Sequence, residues 1–376
     1  MPAPQFKEMR RCYSFDEVAL VPGDTTINPE QVNIDFTVGN FTFPIPILAS
    51  AMDAAVDTRF AVLLNRLGGL AVLNLEGVQT RYEDADAVLA EIASVPDNEV
   101  TPFLQKVYSA PIKENLVGER IREIKRAGAI CAASVTPQNT KQFAPIAAES
   151  GVDIFVVQST VTSAHHISKS YHGLVFSELC QIMPAPIIVG NCVSYSAALS
   201  LMSEGIAGIL VGVGPGAACT TREVLGVGVP QVTATMDCAA AREQYLQETG
   251  RYVAVITDGG IRTGGDLCKA FASGADAVML GSVLAQAEEA PGRGYHWGMA
   301  NPHPALPRGT RIKVDTSGSL EQILLGPASV TGGTQNLIGA LRTAMGMCGA
   351  HSIKEMQRVE MVLAPAIKTE GKFFQA

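Results

Sequence analysis

The sequence predicts an α/β fold, specifically a (β/α)8 TIM barrel, because eight short apolar runs alternate with segments of helical periodicity. The predicted strands are 45–49, 70–73, 130–134, 154–158, 186–189, 208–211, 253–257 and 277–280. The predicted helices are 58–67, 117–127, 141–150, 173–180, 194–204, 232–249 and 263–273. Three of these helices end in a glycine just before the next strand (Gly128, Gly205 and Gly274), as helix C-caps do. An open doubly wound sheet would carry Gly-x-Gly-x-x-Gly after its first strand, and that pattern does not follow residues 45–49.

Two segments depart from a plain barrel. Residues 78–116 follow the second predicted strand and have the composition of a polar, mostly helical insertion. Residues 290–335 are rich in Gly, Pro and Ser, so we expect no regular structure there. We interpret them as a mobile catalytic flap, with a disordered linker as the alternative. Residues 336–350 then form a closing helix, and residues 1–376 make one barrel domain.

The composition favours a globular protein with reduced cysteines and argues against nucleic-acid and membrane partners. The 376 residues are 47% hydrophobic and 17% charged, which suits a large buried core. The net charge of −8 argues against a nucleic-acid partner. The eight cysteines form no Cys-x-x-Cys pair, which indicates reduced thiols rather than disulfides or a zinc site. Neither a hydrophobic signal core nor a bilayer-length apolar run occurs, so we expect a cytoplasmic protein without a membrane partner.

Residues 208–231 place one cysteine, Cys219, in a glycine-rich loop after a predicted strand. Gly212, Gly214 and Gly216 allow the backbone to approach a ligand closely. Barrel enzymes present reactive groups at the carboxyl ends of their strands, so we interpret Cys219 as a nucleophile. The alternative is an inert, buried cysteine beside a tight turn.

The loops after the seventh and eighth predicted strands indicate a phosphorylated ligand. They contain Asp258-Gly259-Gly260 and Gly281-Ser282, and barrels commonly hold phosphate on backbone N–H groups at these two positions. Asp258 is suited to accept hydrogen bonds from two ribose hydroxyls, with a helix N-cap as the alternative. The flavin-dependent 2-hydroxy-acid oxidases carry a similar stretch, so this motif alone does not decide the enzyme class.

Together with the cysteine loop, these motifs make the chain resemble the IMP dehydrogenase / GMP reductase family over nearly its whole length. The matching segments are FDEV with LVP near residue 20, Ser50-Ala51-Met52-Asp53, Gly190-Asn191, GPGAACTTREVLGVGVPQ, ITDGGIRTGGD, VMLGS with EEAPG, and LRTAMGMCGA. Many family members carry a regulatory CBS module at the position of residues 78–116. This insertion is far too short for that module, so we expect no CBS domain.

The resemblance implies roles for individual residues. Cys219 attacks purine C2 and Thr221 is the catalytic threonine, although a loop-capping threonine is the alternative. The implied substrate-binding residues are Ser50, Met52, Asn191, Gly216, Asp258, Gly260, Gly281, Ser282, Gly298 and Met299. The implied cofactor-binding residues are Gln158, Ser159 and Thr160, and the carbonyls of Gly214, Gly216 and Cys219 are implied to bind a monovalent cation such as K+. A homotetramer or larger homo-oligomer is also implied.

Two positions depart from the family pattern. Ala217 stands where the family has a phosphate-binding serine, which removes one hydrogen bond to the 5′-phosphate. Gln158-Ser159-Thr160 stands where relatives place a cofactor-facing aspartate, so the preference between NADPH and NADH is not predicted.

The flap sequence favours one of the family's two reactions. Dehydrogenases resemble one another in an adjacent Arg-Tyr pair that activates water, and residues 290–335 contain none; Arg251-Tyr252 precedes the seventh strand instead. This favours a GMP reductase, which converts GMP to IMP and ammonia with NADPH through a Cys219 thioimidate. The alternatives are an IMP dehydrogenase that oxidises IMP to XMP with NAD, and a non-catalytic nucleotide sensor.

The reductase reaction needs an acid partner for Thr221. The family position matches Thr316, so we expect Glu321, or else Asp315, to substitute, with a solvated flap acid as the alternative. His296 aligns with a flap tyrosine and is expected either to stack on substrate or to be an exposed structural histidine.

Overall fold

The structure is a computed structural model that describes residues 7, 9–167, 173–298 and 310–364. Its strands are β1 (Val18–Leu20), β2 (Phe36–Val38), β3 (Phe41–Phe43), β4 (Ile47–Ala49), β5 (Leu70–Asn74), β6 (Ala132–Val135), β7 (Ile154–Gln158), β8 (Ile187–Cys192), β9 (Gly208–Val211), β10 (Ala254–Asp258), β11 (Ala277–Leu280), β12 (Tyr295–Trp297), β13 (Arg311–Lys313) and β14 (Met361–Leu363). Its α-helices are α1 (Thr58–Arg66), α2 (Val78–Arg81), α3 (Ala85–Ser94), α4 (Val100–Ser109), α5 (Glu114–Arg126), α6 (Thr140–Glu149), α7 (Phe176–Ile182), α8 (Tyr195–Ser203), α9 (Thr221–Leu225), α10 (Gln231–Thr249), α11 (Gly264–Ala272), α12 (Leu320–Leu325), α13 (Leu337–Met347) and α14 (Ile353–Met356).

Strands β4 to β11 close into a parallel barrel in chain order, and β11 pairs with β4. The predicted (β/α)8 fold is therefore confirmed. Three predicted strands have the observed bounds, and the fifth runs further than expected, from Ile187 to Cys192. Alternate strand residues fill the barrel interior, while the others face the helices. The β2–β3 hairpin closes the amino end of the barrel, since Phe36, Val38 and Phe43 pack into the interior cluster.

The three predicted C-cap glycines adopt left-handed backbone angles. Their φ values are 76° at Gly128, 94° at Gly205 and 110° at Gly274. These angles favour glycine, because a side chain there strains the backbone. Each glycine turns the chain from a helix on the outside into the following barrel strand.

The flap contains regular structure, which corrects the expectation of none. Strands β12 and β13 form an antiparallel hairpin, and α12 follows. Glycine and proline richness hid these elements because each of the three spans only three to six residues. Residues 299–309 lie outside the described part of the chain. The mobility of the flap stays a prediction.

Residues 78–116 hold α2, α3, α4 and the start of α5, in agreement with a mostly helical insertion. The insertion is less polar than expected, because its helices bury an apolar cluster. No CBS domain occurs among the described residues. The predicted closing helix is α13, and β14 then pairs antiparallel with β1. None of the described helices combines the length and apolarity needed to cross a bilayer.

Two glycine substitutions separate backbone strain from crowding at the helix ends. An added Cβ at Gly128 meets nothing within 4 Å, whereas at Gly274 it lies 2.5 Å from Ala239 Cβ. We expect Gly128→Ala to lower the free energy of unfolding by about 1 kcal/mol from backbone strain. Gly274→Ala should cost about 1–3 kcal/mol more, because overpacking adds to that strain. Urea unfolding midpoints measure both, and equal losses would contradict the packing around Gly274.

Candidate active site

Cys219 lies at the barrel mouth in the loop between β9 and α9. Its side chain is half-buried, and Sγ donates a hydrogen bond to Thr221 Oγ1 at 3.2 Å. Thr221 is only 2% exposed and is the first residue of α9, while Thr220 occupies the N-cap position. The loop-capping interpretation of Thr221 is therefore wrong, and a hydroxyl is held against the thiol instead. The inert, fully buried alternative for Cys219 also does not fit a half-buried thiol.

Arg222 fixes both ends of this cysteine loop. Its Nε donates to the carbonyl of Val213 at 3.1 Å, and its Nη2 donates to that of Val229 at 2.6 Å. Gly214 (φ 77°) passes so close to Arg222 that an added Cβ would lie 2.5 Å from the arginine Cγ. Burial lowers the pKa of Arg222. This pair of arginine contacts was not predicted from the sequence, where its only signal is an arginine three residues after the cysteine.

The carboxyl ends of β7, β8 and β10 bring three polar side chains together. Asn191 Nδ2 donates to Asp258 Oδ2 at 2.8 Å, and Gln158 Nε2 donates to the same oxygen at 3.1 Å. Gln158 Nε2 also reaches Asn191 Oδ1 at 3.0 Å. Asp258 keeps part of its surface at the mouth, yet burial raises the pKa of its carboxyl to about 6, against the lowering effect of the two amides. The N-cap interpretation of Asp258 is wrong, because Thr263 caps α11.

Gln158 presents an unused acceptor at this cluster. Both oxygens around Nε2 are acceptors, which fixes the orientation of the amide, and its Oε1 is buried without a hydrogen-bond donor. Among the three residues implied to bind cofactor, Ser159 uses its hydroxyl within its own loop, where it donates to the carbonyl of Val161 at 2.8 Å. Thr160 is half-buried. The free Gln158 acceptor therefore suits a ligand hydroxyl, and a cofactor role for the three residues stays a prediction.

The glycine turn after β10 touches the cysteine loop. An added Cβ at Gly259 would lie 3.2 Å from the Gly216 nitrogen, and one at Gly260 would lie 3.2 Å from Pro215 Cβ. Both glycines have positive φ, 89° and 81°. This close approach places the Asp258 carboxyl and the Cys219 thiol in loops that pack against each other.

The predicted phosphate end lies beside the flap hairpin. An added Cβ at Gly281 would meet Met52 Sδ at 3.2 Å and His296 Cε1 at 3.3 Å. His296 is 2% exposed, so the exposed structural alternative is wrong. Burial lowers the pKa of His296 to about 4, and its Nδ1 has no hydrogen-bond partner. The imidazole is thus neutral at physiological pH, and stacking on substrate stays a prediction.

The remaining predicted residues are placed as follows. Ser50 is buried after β4, and its amide donates to the carbonyl of Leu280 at 2.9 Å. Ser282 and Gly298 are half-buried, and Met299 lies outside the described residues. Their roles in substrate binding stay predictions.

Neither predicted flap acid is hydrogen-bonded to Thr221 among the described residues. Glu321 is exposed in the first turn of α12, and no hydrogen bond joins it to Thr221 within the described chain. Asp315 is exposed as well and pairs with Lys313 at 3.0 Å. The predicted catalytic role of Glu321 receives no support from these positions.

The carbonyls of the cysteine loop bear on the predicted cation site. The Gly216 carbonyl already accepts the Cys219 amide at 3.0 Å. No donor to the carbonyls of Gly214 or Cys219 occurs among the described residues, so two oxygens remain open. Two carbonyls fit a portion of a cation's oxygen shell, and the K+ site stays a prediction.

Comparison with known proteins agrees with this geometry. A family model described as IMP dehydrogenase / GMP reductase domain matches residues 12–301. The chain belongs to the IMP dehydrogenase / GMP reductase family. An uncharacterised oxidoreductase of Mycobacterium leprae is 40% identical over 364 residues, which cover 94% of this chain and 97% of that protein. The inosine-5′-monophosphate dehydrogenase of Cryptosporidium parvum is 29% identical, with 93% of this chain and 91% of that protein covered.

A solved structure extends the match to the whole fold. The crystal structure of an IMP dehydrogenase/GMP reductase-like protein from Corynebacterium glutamicum has a TM-score of 0.91 and 37% identity, over 96% of both chains. Family membership makes the chain an oxidoreductase of a class that binds nucleotide substrates and uses nicotinamide cofactors.

The affinity for nucleotide should depend on the protonation state of Asp258. Protonation below pH 6 removes a carboxylate acceptor, so we expect the affinity for IMP to fall by up to about tenfold per pH unit there. Calorimetric titration between pH 5 and 8 measures this loss. The 5′-phosphate itself titrates near pH 6. Asp258→Asn supplies the control, because its profile contains only the phosphate contribution. Identical profiles for both proteins would remove Asp258 from ligand binding.

Proposed function

We propose that the chain is a nicotinamide-dependent oxidoreductase that acts at C2 of a purine 5′-monophosphate through a covalent bond to Cys219. The observation that carries this proposal is the Cys219–Thr221 hydrogen bond of 3.2 Å, in a loop packed against the glycine turn after Asp258. A thiol hydrogen-bonded to a hydroxyl has a relay for its proton, because the hydroxyl oxygen accepts that proton while its own proton leaves, and the resulting thiolate is the nucleophile. The Asp258 cluster supplies acceptors for ribose hydroxyls.

The chemistry on this chain's residues is a covalent addition followed by release. Cys219 Sγ bonds to C2, and the thiol proton moves to Thr221 Oγ1 as the hydroxyl releases its own proton to solvent. When bound, the nicotinamide cofactor exchanges a hydride with C2. In the oxidative direction, a water oxygen then adds to C2 of the thioimidate, the S–C2 bond breaks, and the sulfur regains a proton. The balance is IMP, NAD+ and water giving XMP, NADH and a proton.

The site favours the oxidative direction, in contrast to the preference drawn from the flap sequence alone. Expulsion of ammonia from GMP needs a proton donor beside Thr221, and both candidate acids are exposed, with no hydrogen bond to Thr221 among the described residues. Residues 299–309 contain neither Asp nor Glu, so that part of the flap supplies no carboxyl group. The curated relative from Cryptosporidium parvum is an IMP dehydrogenase, which supports the same direction. We therefore propose that the chain oxidises IMP to XMP with NAD.

GMP reductase is the second candidate, and one observation favours it. The flap has no adjacent Arg-Tyr pair to activate water. Arg311 does lie 4.4 Å from the centre of the Tyr295 ring, but its guanidinium is buried and donates to the Ile92 carbonyl and to Asp97. Such an arginine is not available as a base. A thioimidate that escapes water would instead be reduced by NADPH, after loss of ammonia from GMP.

Absorbance of the reduced nicotinamide decides between the two reactions. We expect IMP with NAD to raise this absorbance and to yield XMP by chromatography, whereas GMP with NADPH should leave it unchanged. Omission of nucleotide is the control for background oxidation. Consumption of NADPH with GMP, together with inertness towards IMP, would establish the reductase in place of the dehydrogenase.

Replacement of the nucleophile tests the covalent step. Cys219→Ala should lower kcat at least about a thousandfold, because it removes the atom that bonds to C2, while IMP still binds. Cys348→Ala is the matched control, since Cys348 is another half-buried thiol, located at the end of α13. Full turnover by Cys219→Ala would exclude this mechanism.

A further inference from the structure

The insertion and the flap share one apolar cluster. Helices α2 to α4 contribute Val78, Leu89, Ile92, Leu104 and Tyr108, and the flap contributes Trp297. Ala54, two residues after Met52, belongs to the same cluster. Trp297 is 1% exposed, so its burial depends on the insertion. About 25 cal/mol per Å² of buried apolar area makes a large aromatic side chain an effective anchor.

Polar contacts at the centre of this cluster join three parts of the chain. Trp297 Nε1 donates to Tyr108 Oη at 2.8 Å, and Tyr108 Oη donates to Asp53 Oδ2 at 2.6 Å. The amide of Val78 donates to the same oxygen at 2.9 Å. Burial raises the pKa of Tyr108 well above its usual value, so the phenol keeps the proton that it donates. Asp53 directly follows Met52, which borders Gly281.

The alternation of side chains along β12 links the buried Trp297 to His296 at the candidate site. Successive residues of β12 point to opposite faces, so Trp297 enters the insertion while His296 faces Gly281 and Met52. A shift of Trp297 therefore displaces His296.

Arg311 on β13 holds the other strand of the hairpin. Its Nη2 pairs with Asp97 at 2.6 Å, and its Nη1 donates to the Ile92 carbonyl at 2.5 Å. Both partners belong to the insertion, so each strand of the hairpin is fastened to it.

We propose that Tyr108 is a positioning residue and that residues 78–116 serve as the platform on which the flap hairpin is seated. Its hydroxyl hydrogen-bonds to both Asp53 and Trp297, and through Trp297 it sets His296 against Gly281, where the proposed nucleotide places its phosphate. This role rests on the proposed function only where it concerns the nucleotide; the docking itself does not require turnover.

The chain provides its own reporter, because Trp297 is its single tryptophan. Tyr108→Phe removes the hydroxyl and keeps the ring. We expect a red-shifted Trp297 emission, stronger acrylamide quenching, and an increase of about three- to tenfold in the KM for nucleotide with a smaller change in kcat. Tyr82→Phe is the matched control, since Tyr82 Oη donates to the Val107 carbonyl at 2.9 Å within the same insertion but outside the relay.

Two outcomes overturn the proposal. One is a folded Tyr108→Phe protein with wild-type emission and KM; the other is an equal effect from Tyr82→Phe. If Tyr108→Phe does not fold, Trp297→Phe replaces it, with hydrogen exchange of 295–297 and 311–313 as the readout. Unchanged exchange there also refutes the anchor. If the protein turns over neither IMP nor GMP, emission and exchange still test the docking, so failure of the proposed function is distinguishable.

Discussion

The carboxyl group of Asp258 is partly desolvated at the barrel mouth, and the surrounding loops offset that cost with amide donors. Burial alone disfavours the charged form, which is why the pKa rises to about 6. Asn191 and Gln158 reach this carboxyl because parallel strands bring their carboxyl ends to one edge. Asn191 also donates to the Gly212 carbonyl at 2.8 Å, which ties the carboxyl to the start of the cysteine loop. The Asp258 cluster is thus hydrogen-bonded to the first residue of the loop that carries Cys219.

Most of the fold could be predicted from the periodicity of apolar residues in the sequence. Eight buried strands and their helices follow from local patterns, because both faces of a parallel barrel strand are covered and its sequence is apolar throughout. The glycine motifs also pointed to Cys219 and Asp258 as candidate site residues, since close backbone approach needs residues without a Cβ. Roles inferred from family resemblance, such as that of Glu321, depended instead on where a flap side chain comes to lie.

Contacts between distant segments of the chain could not be predicted from the sequence. Trp297 and Tyr108 are 189 residues apart, and Arg311 is 214 residues from Asp97. No local pattern encodes such pairs, so the insertion looked like a shortened regulatory segment rather than a support for the flap. Gln158 illustrates the same limit: its position at the end of β7 was predicted, whereas the direction of its amide depends on two other strands. Exposure was one of two alternatives predicted for His296, and it was wrong because the residues that cover the imidazole come from other loops.

The short sheet formed by β1 and β14 has a consequence for how the chain can be rearranged. Val18 lies opposite Leu363, and the Ala364 amide donates to the Glu17 carbonyl at 2.8 Å. The segments before and after the barrel therefore run side by side at one place on its surface. This neighbourhood of β1 and β14 makes the barrel suitable for circular permutation, in which a short linker joins these two strands and the polypeptide is opened at another surface loop.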